Sequence, residues 1–198
     1  AGTRGTYYAS LGLTGTTIET GPIATMDQVA EVLQRGHELG CHTFDHCPSW
    51  ETASPTFEAS VERNREAVGL NFPAAGKLST LSYPISYPRP ATKRRMARRF
   101  RACRGGGQTF NLGKTDLNYF KSVFIEQLRE RPDTLRELID TNARMKGWLV
   151  FSTHDVTNTP TRYGCAPGLL AELVVRAQKS GSEILTVNEA LNRIMPPC

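Results

Sequence analysis

Apolar residues along the chain follow two alternating periods. Gly5 to Leu13, GTYYASLGL, sets β-favouring residues between glycines and predicts a strand. Met26, Val29, Val32 and Leu33 then recur at helical spacing. Thr25 and Gln28 form a capping box at the start of that helix, and Gly40 reads as its stop. A short β-type run leads into His42. Ser54-Pro55 opens a second helix, with Pro55 at its first position and Phe57, Val61 and Val68 on its inner face. Residues 78–85, LSTLSYPI, predict a short strand ending at Pro84. Met96, Ala97 and Phe100 give the next stretch a helical inner stripe.

In the second half, Tyr119 to Ile125 predicts a strand, and Leu128 to Met145 a helix interrupted near Pro132. Gly147 to Phe151 is a short apolar run that fits a buried strand of a parallel sheet. Pro167 to Lys179 predicts an amphipathic helix with Leu170, Leu173, Val174 and Ala177 inward and Gly181 as its stop. Glu183 to Leu185 predicts a last strand. Thr186 and Glu189 form a capping box that opens a final helix through Ile194. Strand and helix alternate from end to end, which argues for an α/β fold with parallel strands. There is no internal repeat and no linker, so residues 1–198 are expected to form one domain.

Composition changes this picture little. The 198 residues suffice for a sizeable core. No apolar run approaches a membrane span, and no signal peptide precedes residue 10. The five cysteines are scattered without a CxxC pair, which favours reduced thiols and a cytoplasmic setting. Net charge is +5, favouring anionic partners in general. Lys93 to Arg104 holds seven Lys or Arg in twelve residues. A nucleic-acid patch is one reading of it. A solvated helix face is favoured, because no aromatic residues interleave to stack bases. Arg104 leads into a triple glycine, Gly105 to Gly107, with no phosphate-binding spacing around it.

Candidate chemistry lies in GHELGCHTFDH, residues 36–46, which carries three of the four histidines. His42 and His46 are four apart. On a helix that spacing is about 6 Å along the axis, and two imidazoles can reach one metal ion; on a strand it is about 13 Å, too far. The pair is therefore a metal-ligand candidate if the chain turns helically over Thr43 to Asp45. Imidazole suits zinc and similar divalent ions, but zinc needs at least one further protein ligand. Cys41 and Cys47 flank the pair without spacing partners. Asp45 beside this pair and Asp155 beside the fourth histidine, His154, are the nearest carboxylates in sequence to the histidines, and both are expected to point away.

Taken with the fourth histidine, in GWLVFSTHDV, these residues resemble the polysaccharide deacetylases, the fourth family of carbohydrate esterases. GHELGCHTFDH is similar to that family's second motif, His-Ser/Thr-x-x-His. GWLVFSTHDV is similar to its last, a strand ending in histidine. Ser82-Tyr83-Pro84 stands where the family has its proline-containing third motif. The resemblance implies a distorted parallel (β/α) barrel of about seven strands and removal of N- or O-acetyl groups from sugars with a divalent metal, most often zinc. It makes His42 and His46 metal ligands, His154 the general acid, and Tyr83, Pro84 and Arg104 substrate contacts.

There are three departures from the family pattern. The Thr-Phe-Asp-Asp motif of the first strand, source of the base and third ligand, is not among these residues. Ser82 stands in place of the third-motif arginine, and Ser152 in place of an apolar residue; Arg104 is a candidate replacement for that arginine. A missing first strand implies an open sheet edge beside residues 5–13, expected to be covered by a loop or a second copy of the chain. The alternatives are a non-catalytic carbohydrate-binding protein on the same scaffold, and a basic nucleic-acid-binding protein.

Overall fold

The computed structural model describes residues 2–195. The first strand, β1 (Thr6–Ala9), is followed by a 3-10 turn at Leu11–Leu13 and a small antiparallel hairpin, β2 (Thr17–Ile18) and β3 (Gly21–Pro22). Helix α1 (Met26–Gln34) starts at the expected capping box: Thr25 accepts from the Gln28 N–H and the Gln28 side chain accepts from the Thr25 N–H. It ends earlier than expected. Gly36 takes φ +77°, its N–H reaches the Leu33 carbonyl and the His37 N–H reaches Val32, so the Schellman turn falls here and not at Gly40. That frees Glu38–Cys41 to form β4, which pairs in parallel with β1.

The remaining elements follow in order. Helix α2 (Ser54–Asn71) buries Phe57, Val61 and Val68, with Ala53 as N-cap, which puts Pro55 at the second helical position. Strand β5 (Thr80–Ser82) leads to α3 (Pro90–Met96) and β6 (Ala102–Arg104). The basic stretch is thus the end of a helix, a turn over residues 97–101 and a short strand, with Met96 and Phe100 buried beneath it. Only Val123–Phe124 of the 119–125 run is ladder, β7. Pro132 starts α4 (Pro132–Met145) instead of interrupting it. Strand β8 (Phe151–Ser152) is short and partly buried, α5 (Pro167–Lys179) has its predicted bounds, and α6 (Val187–Ile194) opens at its capping box. Residues 183–185 form no strand.

The main sheet has the order β1-β4-β5-β6, all parallel. β7 and β8 form a second parallel pair, and a parallel bridge from Arg104 to Phe120 links the two. Helices α1, α2, α3 and α4 each connect two strands that point the same way, as parallel pairing requires. One apolar cluster lies under α1 to α3 around Phe57, Leu81 and Met96, and a second lies between the β7–β8 pair and helices α4 and α5. Each fully buried Phe or Leu contributes about 1.5–3 kcal/mol. Among the described residues β1 pairs on one side only, with β4. Near its start, Thr6 accepts the Val187 N–H from the head of α6. No described helix is long and apolar enough to cross a membrane.

Candidate active site at the strand ends

Parallel strands bring their carboxyl ends to one side of the sheet, and the site is built there. His42 is the first residue after the central strand β4. Its N–H donates to the Ala9 carbonyl, and its own carbonyl accepts from the Ser10 hydroxyl at 2.8 Å. Its Nδ1 lies 2.7 Å from the Ser82 carbonyl. A carbonyl can only accept, so Nδ1 carries the proton and Nε2 keeps its lone pair for a ligand.

The chain then turns without becoming helical. Thr43 (φ +62°) and His46 (φ +52°) are both left-handed, and Thr43 Oγ1 accepts the Cys47 N–H. The two rings come to 4.7 Å between centroids at 69°. The helical route predicted for this pair is therefore replaced by a tight turn, which Ser60 on α2 holds through the N–H groups of Phe44 and Asp45. Asp45 accepts from the Ser60 hydroxyl and pairs with Arg63, so its carboxylate is engaged with α2.

His154 lies two residues past β8, and Nδ1 donates to the Tyr163 carbonyl at 3.2 Å. Asp155 accepts from Thr161 N and Oγ1 and is committed to its own loop. Burial lowers the pKa of His42 to about 3, and the charges of His46, Arg104 and His154 add to the fall against the opposing Ser82 hydrogen bond. His46 is lowered by burial and by His154. His154 is lowered by partial burial and by Arg104, with the Tyr163 carbonyl acting the other way. The three imidazoles thus feel one another's or the guanidinium's charge, and all three are neutral at pH 7.

Arg104 ends β6 in register with Ser82. It donates to the Ser82 hydroxyl, and to Ser122 Oγ at 3.0 Å. Tyr83 is not brought to this site. Its ring is 0 % exposed and packs on Phe57 in the core, because it points to the opposite side from Ser82. Pro84 is buried at the head of a turn in which Ile85 and Ser86 are left-handed, and the residues open to solvent there are Ile85 and Tyr87.

Glu126 is a group that sequence reasoning missed. Burial raises its pKa to about 7 against the opposing effects of its own backbone, Arg104 and Arg129, and its Oε2 is buried without a partner. A lone glutamate in FIEQ carries no signal of this, since its neighbours come from other strands.

The two paired imidazoles suit a divalent ion as two of its ligands. Among the described residues no group of three or more His, Cys, Asp or Glu gathers at one point. A catalytic zinc needs three protein ligands and an open position, so these side chains alone do not complete one. The basic stretch, meanwhile, is partly neutralised within the molecule, three of its seven cations being ion-paired. Lys93 pairs with Asp116, Arg95 with Glu58 and Arg99 with Glu62, while Arg104 is turned inward.

The fold is a parallel α/β scaffold with the His42–His46 pair at the end of one strand. The family described as polysaccharide deacetylase matches residues 6–100, just under half of the chain. The match covers His42 and His46; Arg104 and His154 lie beyond it. No curated protein matches the chain.

Among solved structures, the chitin deacetylase from the fungal pathogen Colletotrichum lindemuthianum is similar at a TM-score of 0.63 and 17% identity, over 95% of this chain and 75% of that one. A "T48 deacetylase with substrate" gives 0.61 and 16%, over 96% and 78%. IcaB from Ammonifex degensii gives 0.44 and 18% over 50% of this chain, which spans 47% of IcaB's length. At these identities the first two establish a shared α/β fold.

Proposed function

We propose that this protein is a hydrolase that removes acetyl groups from N- or O-acetylated sugars or polysaccharides. The observation that carries the reading is the contact of the His42 and His46 rings at the carboxyl end of β4, with Arg104 and His42 both bonded to Ser82. In this reading a divalent metal, zinc in the first place, takes His42 and His46 as two of its ligands. When bound, it supplies Lewis acidity toward the acetyl carbonyl.

The chain's own residues do the rest. His42 is aimed by the Ser82 carbonyl, and Arg104 orients the substrate. His154 starts neutral, takes the proton of the attacking water, and returns it as general acid to the departing amine or alcohol. Water adds to the carbonyl carbon, the bond to nitrogen or oxygen breaks, and acetate and the free sugar leave. The same reading takes residues 1–198 as one domain and the sheet as the greater part of a distorted barrel. It also takes the unpaired side of β1 as a place where copies associate, and a reducing compartment for the free thiols.

The test is acetate release from N-acetylated and O-acetylated oligosaccharides. His154→Ala is expected to abolish release, by at least about a hundredfold, with metal content unchanged. His42→Ala and His46→Ala are expected to lower metal content. Turnover unchanged in His154→Ala overturns the acid role. Oligosaccharide binding without acetate release identifies instead a carbohydrate-binding protein on the same scaffold.

A further inference from the structure

Among the described residues the buried guanidinium of Arg104 has no anion beside it. Arg104 donates to two serine hydroxyls and, at 3.4 Å, to the Gly105 carbonyl. The rings of Tyr8 and Phe124 flank it, their centroids 5.8 and 5.4 Å from the guanidinium carbon. All of these partners are neutral. Among the described residues no carboxylate comes within ion-pair distance, although Arg104 feels the charge of Glu126 from farther off.

Arginine has five N–H donors, and three are used here. Among the described residues Nε–H has no acceptor, and it is buried from solvent. Taking a guanidinium out of water without an opposite charge is costly. A neutral amide side chain would tie the strand ends together as well, so the charge itself needs an explanation. Ser82 at the end of β5, Ser122 just before β7 and Ser152 at the end of β8 form a hydroxyl group around Arg104, with Ser152 Oγ 3.5 Å from Ser122 Oγ.

We infer that Arg104, with Ser82 and Ser122, is a receptor for a small carboxylate bound on the Nε and Nη2 edge of the guanidinium. That edge matches a carboxylate in the paired manner that makes such contacts strong. The carboxylate has two possible sources: acetate released by hydrolysis, which rests on the proposed function, or the acid group of a uronate-type sugar, which does not.

The experiment titrates acetate and glucuronate separately into the full chain after chelator treatment, followed by calorimetry and by NMR of labelled acetate. Saturable binding is expected. Arg104→Gln is expected to weaken it about tenfold or more, and Arg104→Lys less, since lysine keeps the charge but not the fork. Circular dichroism and the thermal midpoint establish that Arg104→Gln is folded. Ser122→Ala, which removes a support of the guanidinium, is expected to weaken binding a few-fold.

Tighter binding of acetate assigns the receptor to product, and tighter binding of glucuronate assigns it to substrate. Absence of binding of both ligands to the folded protein, or affinity unchanged in Arg104→Gln, overturns the inference. Acetate binding that depends on Arg104 in a protein that releases no acetate from acetylated sugars keeps the receptor and rejects the hydrolase.

Discussion

Single atoms decide the chemistry of this site. The Ser82 carbonyl fixes the tautomer of His42, and two left-handed residues bring His46 beside it. The His-x3-His spacing was legible in sequence, but the route between the rings was not, because positive φ at threonine and histidine follows from contacts with α2.

Glu126 gives a prediction at this scale. Its pKa in the folded protein lies near 7, above the ordinary carboxyl value of 4.5. Between those values the folded state holds more proton than the unfolded one, so stability is lost as pH rises from about 4.5 through 7. Glu126→Gln mimics the protonated form. It is expected to match the wild type near pH 4 and to exceed it by about 1–2 kcal/mol at pH 8, a figure discounted for partial exposure. Urea unfolding at the two pH values checks this; an equal difference at both would rule out the titration.

Among the elements, β4 matters most, since it pairs with β1 and β5 and delivers His42. Gly40 within it is not the helix stop that its position suggested. A Cβ there would lie 2.5 Å from the Tyr8 ring and 3.0 Å from Thr80 Oγ1, so glycine is required for the close approach of β1 and β4. Gly40→Ala is expected to destabilise the protein by about 1–3 kcal/mol, read as a lower thermal midpoint. Helix starts were legible because a capping box is local, as at Thr25 and Thr186. Strand bounds were not, because a strand is defined by its partner. Residues 183–185 have β character but no ladder, and Gly5 to Leu13 is strand only as far as Ala9, where pairing with Cys41 ends.

At the scale of the whole molecule, the one-sided pairing of β1 leaves backbone groups available to another strand. If copies associate there, sedimentation velocity will show a species larger than the 21.9 kDa chain at micromolar concentration. Replacing the half-exposed Tyr7 by lysine will then shift it to monomer. A monomer throughout the accessible range rejects that edge as an association surface. The ion pairs of the 93–99 stretch belong to the same scale. They bind α3 to α2 and to the segment at Asp116, and so leave a weaker surface field than seven basic residues suggest.

The amino-acid sequence by itself determined the α/β alternation, the capped helix starts, the inward stripes and the two histidine motifs. All of these depend on residues a few positions apart, where periodicity and local hydrogen bonding act. The tertiary structure alone decided that Ser82, Arg104 and Ser122 meet, that Tyr83 is core, that Asp45 and Asp155 are occupied elsewhere, and that Glu126 is desolvated. Those outcomes depend on which strand ends become neighbours, and burial and electrostatic coupling are properties of that three-dimensional adjacency.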